Sequence, residues 1–88
     1  MPATDKLQVE IVSHEGWLWP GSASQVSFPA MDGSIGVLPG RQPVLAGLVP
    51  GRVSITTEQG VVDFDIDKGL ASVDSDFITI VVEHASQM

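Results

Sequence analysis

Residues 52–82 have the sequence RVSITTEQGVVDFDIDKGLASVDSDFITIVV, in which short apolar runs alternate with turn residues. The runs are rich in Val, Ile and Phe and are four to six residues long, as is typical of strands. Gln59-Gly60 and Asp74-Ser75-Asp76 separate two pairs of runs and favour hairpin turns. This part of the chain therefore predicts four consecutive strands, at Arg52–Thr57, Val61–Ile66, Leu70–Val73 and Phe77–Val82.

The same pattern extends over the rest of the chain. Leu7, Val9 and Ile11 alternate with polar residues, which places them on one face of a strand. Nine Gly and six Pro punctuate the sequence, and no window of about eleven residues has an apolar stripe at helical spacing without them. Further runs lie at Gln25–Phe28, Ser34–Leu38 and Val44–Leu48. We therefore expect an all-β fold, a small β-sandwich or flattened barrel of about ten short antiparallel strands.

Length and charge limit the classes of protein to consider. The chain has 88 residues, which predicts one domain over residues 1–88. Because 43% of the residues are hydrophobic, the chain can build a core. Four Lys and Arg stand against eleven Asp and Glu, giving a formal charge of −7. This balance excludes a general nucleic-acid binder, which needs basic residues to neutralise phosphates.

Other absences in the sequence narrow the field further. The sequence has no cysteine, which excludes disulfides, thiolate zinc sites and thiol catalysis. The first residues, MPATDK, have no apolar core of a signal peptide, and no apolar run approaches a membrane span of roughly 18 residues. These features predict a soluble, cytoplasmic protein.

Three carboxylates at alternate positions, Asp63, Asp65 and Asp67, invite a comparison with a calcium loop. Such a loop needs Gly at its sixth position and Glu at its twelfth, between two helices. This chain has Lys68 and Asp74 at those positions. On a strand, the three carboxylates share a solvated face opposite a core face, although a free-standing module that binds calcium remains an alternative.

Trp17 and Trp19 share a strand face, and we expect them to belong to the core. A carbohydrate-binding module that stacks sugars on them is the second form of the alternative. His14 and His84 are the only histidines, and with no cysteine they supply neither a metal ligand set nor a catalytic triad. We place His84 beyond the last strand and exposed to solvent. The residues do not indicate an enzyme.

The segment from Asp32 to Gly51 is apolar although Gly and Pro interrupt it repeatedly. An ordered set of motifs with consistent spacing includes this segment: Asp32-Gly33-x-Ile35-Gly36-Val37-Leu38-Pro39-Gly40-x-x-Pro43-x-Leu45, Leu48-x-Pro50-Gly51-x-Val53, Leu7-x-Val9-x-Ile11-Val12-Ser13-x-Glu15-x-x-Leu18-Trp19-x-Gly21, Gly69-x-x-x-Val73 and Ile78–Val82. This set resembles the epsilon subunit of the F-type ATP synthase, in its N-terminal β-sandwich domain.

The resemblance implies a β-sandwich of about ten strands that carries no catalytic residue and no cofactor or metal. It implies a rotor subunit at the foot of the central stalk, bound to the gamma subunit and to polar loops of the c subunits in the membrane ring. Such a subunit couples proton flow to ATP synthesis. It lies at the cytoplasmic face of the bacterial cell membrane, as a peripheral part of the complex.

Interface residues follow from the resemblance position by position. Asp32, Gly33 and Ser34 resemble the part that faces the ring. Ser34 stands where the family often has an acidic residue, and Arg41 where histidine is common. The other positions that resemble gamma or ring contacts are Ser13, Arg41, Leu45 and Ala46.

Two further departures from the family concern a turn and the end of the chain. Lys68-Gly69 replaces the two glycines that the family commonly has, and we expect this to affect one turn only. Most of the family continue after the position of Ala85 into a helical hairpin that inhibits ATP hydrolysis. This sequence ends at Met88, so we expect a short form without that inhibition.

Overall fold

The computed structural model of the chain describes residues 6–16, 18–40 and 42–88, with the backbone alone at Leu18. This described part forms ten strands and no helix, which confirms the predicted all-β class. The strands are β1 Leu7–Ser13, β2 Leu18–Ala23, β3 Gln25–Ala30, β4 Gly33–Val37, β5 Val44–Leu48, β6 Gly51–Thr57, β7 Gly60–Ile66, β8 Gly69–Asp74, β9 Phe77–Val82 and β10 Ala85–Gln87.

One continuous sheet contains all ten strands. Its order is β10-β7-β6-β3-β5-β8-β9-β1-β2, and β4 pairs with β3 outside this path. A contact between two rings shows that the sheet curls. The Trp19 ring on β2 packs edge-on against the Phe64 ring on β7, with 5.5 Å between the ring centroids. Strands near opposite ends of the order therefore face each other across a core. One half contains β10, β7, β6, β3 and β4, and the other contains β5, β8, β9, β1 and β2.

One pairing differs from the antiparallel arrangement that we expected. β1 and β9 run parallel, with Val9 opposite Ile78 and Ile11 opposite Ile80. Parallel neighbours cannot be joined by a tight turn. Here the two strands come from nearly opposite ends of the chain, so the direction of this pair does not depend on any local connection.

The turn chemistry explains the β8–β9 hairpin. Its two central residues, Ser75 and Asp76, have φ angles of 52° and 66°. Positive φ at both positions is the requirement of a two-residue type I′ hairpin, and Asp tolerates it better than most residues. The hairpin that was predicted at Asp74–Asp76 is thus confirmed.

The core is formed by side chains at alternate positions of the strands. Every second side chain of β1 and β9 is buried, as are Val53 and Ile55 on β6. Phe28, Phe64 and Ile80 are among the side chains with no exposed surface. Trp19 packs against this cluster, in agreement with its predicted place in the core, whereas Trp17 lies outside the described residues. Residues on the opposite parity form the two outer faces of the curled sheet, and these faces are what the molecule offers to partners.

The sequence pattern did not indicate β10. Its three residues pair antiparallel with β7, Ala85 opposite Ile66 and Gln87 opposite Phe64. His84 therefore precedes a strand, whereas we had placed it beyond the last one, although it is exposed as expected. Within the described ranges, no helix is long and apolar enough to cross a membrane.

Candidate interaction surfaces

An apolar row crosses the outer face of β5, β8, β9 and β1. Leu70 lies opposite Gly47 on one side and Val81 on the other, and Val81 lies opposite Val12. Side chains that are opposite each other in neighbouring strands share a face and pack together. Leu70 is 48% exposed and Val81 is 49% exposed. We call Val12, Leu70 and Val81 the apolar row.

Met31 extends the apolar row at its β5 end. The Met31 N–H donates to the Gly47 carbonyl at 3.1 Å, and a Cβ added to Gly47 would lie only 2.9 Å from the Met31 sulfur. Glycine at position 47 thus leaves space for Met31 to lie over β5. Because the Met31 side chain is 74% exposed, the apolar surface continues to the turn that follows β3.

A groove of about 640 Å³ lies over the apolar row and extends to Ser13. Ser13 is only 3% exposed, which makes it the one buried polar residue of the described part. We call this depression the Ser13 groove. Its floor is formed by the three residues of the apolar row, and its rim includes His14, Lys68 and Glu83.

Gly69 controls the shape of this groove. A Cβ added to Gly69 would lie 2.1 Å from the Val81 carbonyl oxygen and 2.9 Å from the Val82 Cα. Only glycine lets β8 approach β9 this closely. The family commonly has glycine at both position 68 and position 69. Lys68 is exposed in this chain, so the residue at the close approach is Gly69.

Leu45 and Ala46 point in different directions. Leu45 is 74% exposed and lies opposite Ser72 on the same outer face as Gly47. It borders a second groove, of about 490 Å³, between residues 43–45 and residues 72–74, which we call the Leu45 groove. Ala46 is half-buried and packs against the core. Of these two predicted interface residues, Leu45 is therefore the one that the outer face presents.

Asp32, Gly33 and Ser34 lie together at the β3–β4 turn and are all exposed. Gly33 has a φ of 121°, a conformation that side chains with a Cβ rarely adopt. The turn directly follows Met31, so it adjoins the apolar row. Arg41 lies outside the described residues.

The predicted residues thus flank a surface that the sequence reasoning missed. Ser13 follows Val12 at one end of the apolar row, and the β3–β4 turn follows Met31 at the other. One signal was available in the run FITIVV of β9, which places Phe77 and Val81 at outward positions. Apolar residues on both parities of a strand indicate that both faces are covered.

The outer face of the other half of the sheet is polar. Arg52 lies opposite Asp65, and the Ser54 hydroxyl donates to the Asp63 carboxylate at 2.7 Å. The Asp67 carboxylate accepts a hydrogen bond from the His84 N–H at 3.0 Å. Across residues 6–16, 18–40 and 42–88, no group of three or more His, Cys, Asp and Glu side chains is placed to hold a metal ion.

His84 joins three elements near the Ser13 groove. Its Nδ1 lies 3.1 Å from a Glu15 carboxylate oxygen in the β1–β2 connection, and its backbone N–H binds Asp67. The hydrogen bond that His84 donates to the Glu15 carboxylate is the main cause that raises the pKa of His84, followed by the charge of Glu15. This pair connects the start of β10 to the end of β1.

Comparison with known proteins assigns the chain to a family. The family profile described as "ATP synthase, Delta/Epsilon chain, beta-sandwich domain" matches residues 6–88. The ATP synthase epsilon chain of Micrococcus luteus is 44% identical over 81 residues, which cover 91% of this chain and 89% of that protein. The epsilon chain of Rhodococcus opacus is 43% identical over 82 residues, which cover 91% of this chain and 67% of that protein.

Solved structures share the fold. A chain of the mitochondrial ATP synthase of Euglena gracilis, solved with its c-ring, superposes with a TM-score of 0.87 at 20% identity, covering 99% of this chain and 56% of that chain. A chain of the central stalk and c-ring assembly of the Tetrahymena thermophila enzyme gives a TM-score of 0.74 at 18% identity, covering 97% of this chain and 69% of that chain. Taken with the sequence matches, these findings show that the chain belongs to the ATP synthase epsilon family, non-catalytic subunits that contain the delta/epsilon β-sandwich domain.

Proposed function

We propose that the chain acts as a central-stalk rotor subunit, linking the gamma subunit to the c subunits of the ring and coupling proton flow to ATP synthesis. The observation that carries this proposal is the exposed apolar row beside the predicted interface residues. The 88 residues of the chain act as a single domain at the cytoplasmic face of the membrane, and they reach that face only as part of the complex.

The apolar row is the surface that we assign to the gamma subunit. Leu70 and Val81 are about half exposed, and Met31 and Leu45 are each 74% exposed on the same side. Contiguous apolar surface of this kind is uncommon on soluble monomers and is typical of an interface. The opposite outer face carries polar residues such as Ser54, Asp63 and Asp65, and we expect it to stay in solvent.

The β3–β4 turn is the part that we assign to the ring. Asp32 and Ser34 offer a carboxylate and a hydroxyl at an exposed turn next to Met31, so one partner can lie on the face and another at its end. A chain of net charge −7 complements ring loops that carry basic residues, which favours correct orientation during assembly.

A matched pair of substitutions tests the assignment to gamma. Val81→Asp places a charge in the apolar row, and Val61→Asp makes the same change at a valine that is 61% exposed on the outer side of β7. We expect Val81→Asp to weaken binding to the gamma subunit about a hundredfold, because an interface would bury an unpaired carboxylate. Val61→Asp should stay within about threefold of the wild type.

Size exclusion and calorimetry with the gamma subunit from the same source provide the measurement. The wild-type chain should form a one-to-one complex. Absence of a complex, with both proteins folded, would contradict the rotor function. Equal losses in the two aspartate variants would leave the rotor function standing and contradict the choice of face.

ATP hydrolysis tests the proposed lack of inhibition. The described residues form strands and no helix, and we propose that these 88 residues by themselves do not inhibit hydrolysis. Added to a synthase depleted of its epsilon-type subunit, it should restore proton-coupled activity and leave hydrolysis uninhibited. Strong inhibition that depends on nucleotide would contradict this part of the proposal.

A further inference from the structure

A single carboxylate ties together three segments beside the proposed gamma surface. Asp76 is the second residue of the β8–β9 turn, where its φ of 66° is tolerated by Asp, Asn and Gly far better than by other residues. Its carboxylate accepts a hydrogen bond from the Gly40 N–H at 2.6 Å. Its backbone carbonyl accepts a second bond from the Gln8 N–H at 2.8 Å. The turn therefore holds both the start of β1 and the β4–β5 connection.

The β4–β5 connection leads directly into the exposed interface residue of β5. Gly40 has a φ of 87°, so the chain makes a sharp bend there, and it reaches Leu45 five residues later. The Leu45 groove lies between residues 43–45 and residues 72–74 of the β8–β9 hairpin. The β5–β8 ladder fixes Leu45 opposite Ser72 and ends at the Val44–Val73 pair. The Asp76–Gly40 hydrogen bond lies just beyond that pair and joins the β8–β9 turn to the residues that lead into the groove.

This groove is continuous with the apolar row. Leu45 and Gly47 are two residues apart on β5 and share the outer face, and Gly47 lies opposite Leu70. A partner that covers the apolar row would also cover the Leu45 groove. Its affinity depends on whether the groove already has its bound shape, because a connection that must be ordered on binding reduces the affinity.

We propose that Asp76 is a positioning residue for gamma binding: its carboxylate holds Gly40, so that the entry to the groove beside Leu45 is presented in one conformation. This inference rests on the proposed rotor function. Asp76 itself acts through Gly40, and the contacts with the partner are made by Leu45 and the apolar row.

Two substitutions separate the hydrogen bond from the unusual backbone conformation. Asp76→Gly accepts the positive φ but has no carboxylate, whereas Asp76→Asn accepts the positive φ and keeps a side-chain oxygen as acceptor. We expect Asp76→Gly to bind the gamma subunit about tenfold more weakly than the wild type, and Asp76→Asn to bind within about threefold. Because Asp76→Asn removes the charge, it also serves as the control for charge.

Amide hydrogen exchange of the chain alone supplies a readout that general destabilisation would not reproduce. In Asp76→Gly the Gly40 amide should exchange at least about tenfold faster, while the amide of Ile80, in the buried strand β9, keeps its wild-type rate. In Asp76→Asn the Gly40 amide should remain protected.

The outcomes distinguish this inference from the proposed function. If the wild-type chain does not bind the gamma subunit, both fail. If the wild type binds and Asp76→Gly binds equally well, only the role of Asp76 fails. Parallel acceleration of Gly40 and Ile80 exchange would also overturn it, since the substitution would then have loosened the whole domain.

Discussion

Gly69 offers a demanding test of how closely β8 and β9 must pack. In a Gly69→Ala variant the new methyl group would lie 2.1 Å from the Val81 carbonyl oxygen, 2.8 Å from a Val82 methyl carbon and 2.9 Å from the Val82 Cα. Two of these three atoms belong to the backbone, so no side-chain rotation relieves the contact. The strands must separate at the end where Gly69 pairs with Val82.

The expected loss of stability follows from that separation. Overpacking of a dense interior costs about 1 to 3 kcal/mol, and each ladder hydrogen bond lost adds about 1 kcal/mol. We therefore expect Gly69→Ala to lower the free energy of unfolding by about 3 kcal/mol. For a domain of 88 residues, with a urea dependence of roughly 1 kcal/mol per M, the midpoint of urea unfolding should fall by about 3 M.

Gly36→Ala is the matched control. A Cβ at Gly36, on strand β4, would meet only the Gln25 side-chain nitrogen, at 3.9 Å. Its effect should lie between neutral and a gain of about 1 kcal/mol, because alanine reduces the freedom of the unfolded chain. The measurement is urea unfolding followed by tryptophan fluorescence. Equal midpoints for the two variants would refute the claim that the β8–β9 contact requires glycine.

Three further measurements follow from the structure. Pairing with Glu15 raises the pKa of His84 above 6.5. The contribution of the pair to stability is therefore complete below pH 6.5 and is lost as the pH rises through the raised pKa. NMR titration should give a lower pKa for His84 in Glu15→Gln, and an unchanged pKa would argue against the pair. Phe64→Ala removes a fully buried ring and should cost about 3 to 5 kcal/mol, with a red shift of Trp19 emission because the rings are 5.5 Å apart. Calcium should leave tryptophan fluorescence unchanged, and a saturable response would revive the calcium module at residues 63–67.

The sequence predicted the local structure closely because its signals are local. The alternation of Leu7, Val9 and Ile11 predicted β1, and all three residues are buried in the core. The Asp74–Asp76 turn was predicted because few residues tolerate the left-handed backbone of a two-residue hairpin. Only three residues, ASQ, form β10, and no pattern of that length could have predicted it.

The candidate interaction surface could be predicted only in part. The resemblance named Ser13, Leu45 and the β3–β4 turn, each from its own segment of the chain. It did not identify the apolar row between them, and it placed Ala46 with Leu45 although the two lie on opposite faces of β5. The outward valine of FITIVV was a signal, but it could not say which other apolar residues would lie beside it.

The sequence alone therefore determined the all-β class, the positions of nine strands and the family, because these depend on alternation, turn residues and motifs within short segments. The tertiary structure alone decided that β1 runs parallel to β9, that Val12, Val81 and Leu70 form one row, and that Asp76 holds Gly40. Each of these contacts joins residues more than ten positions apart in the sequence. Apart from the Leu70–Val81 pair, which the β8–β9 hairpin sets, these contacts arise only when the curled sheet closes, since the free energy of burying the whole core sets which strands become neighbours.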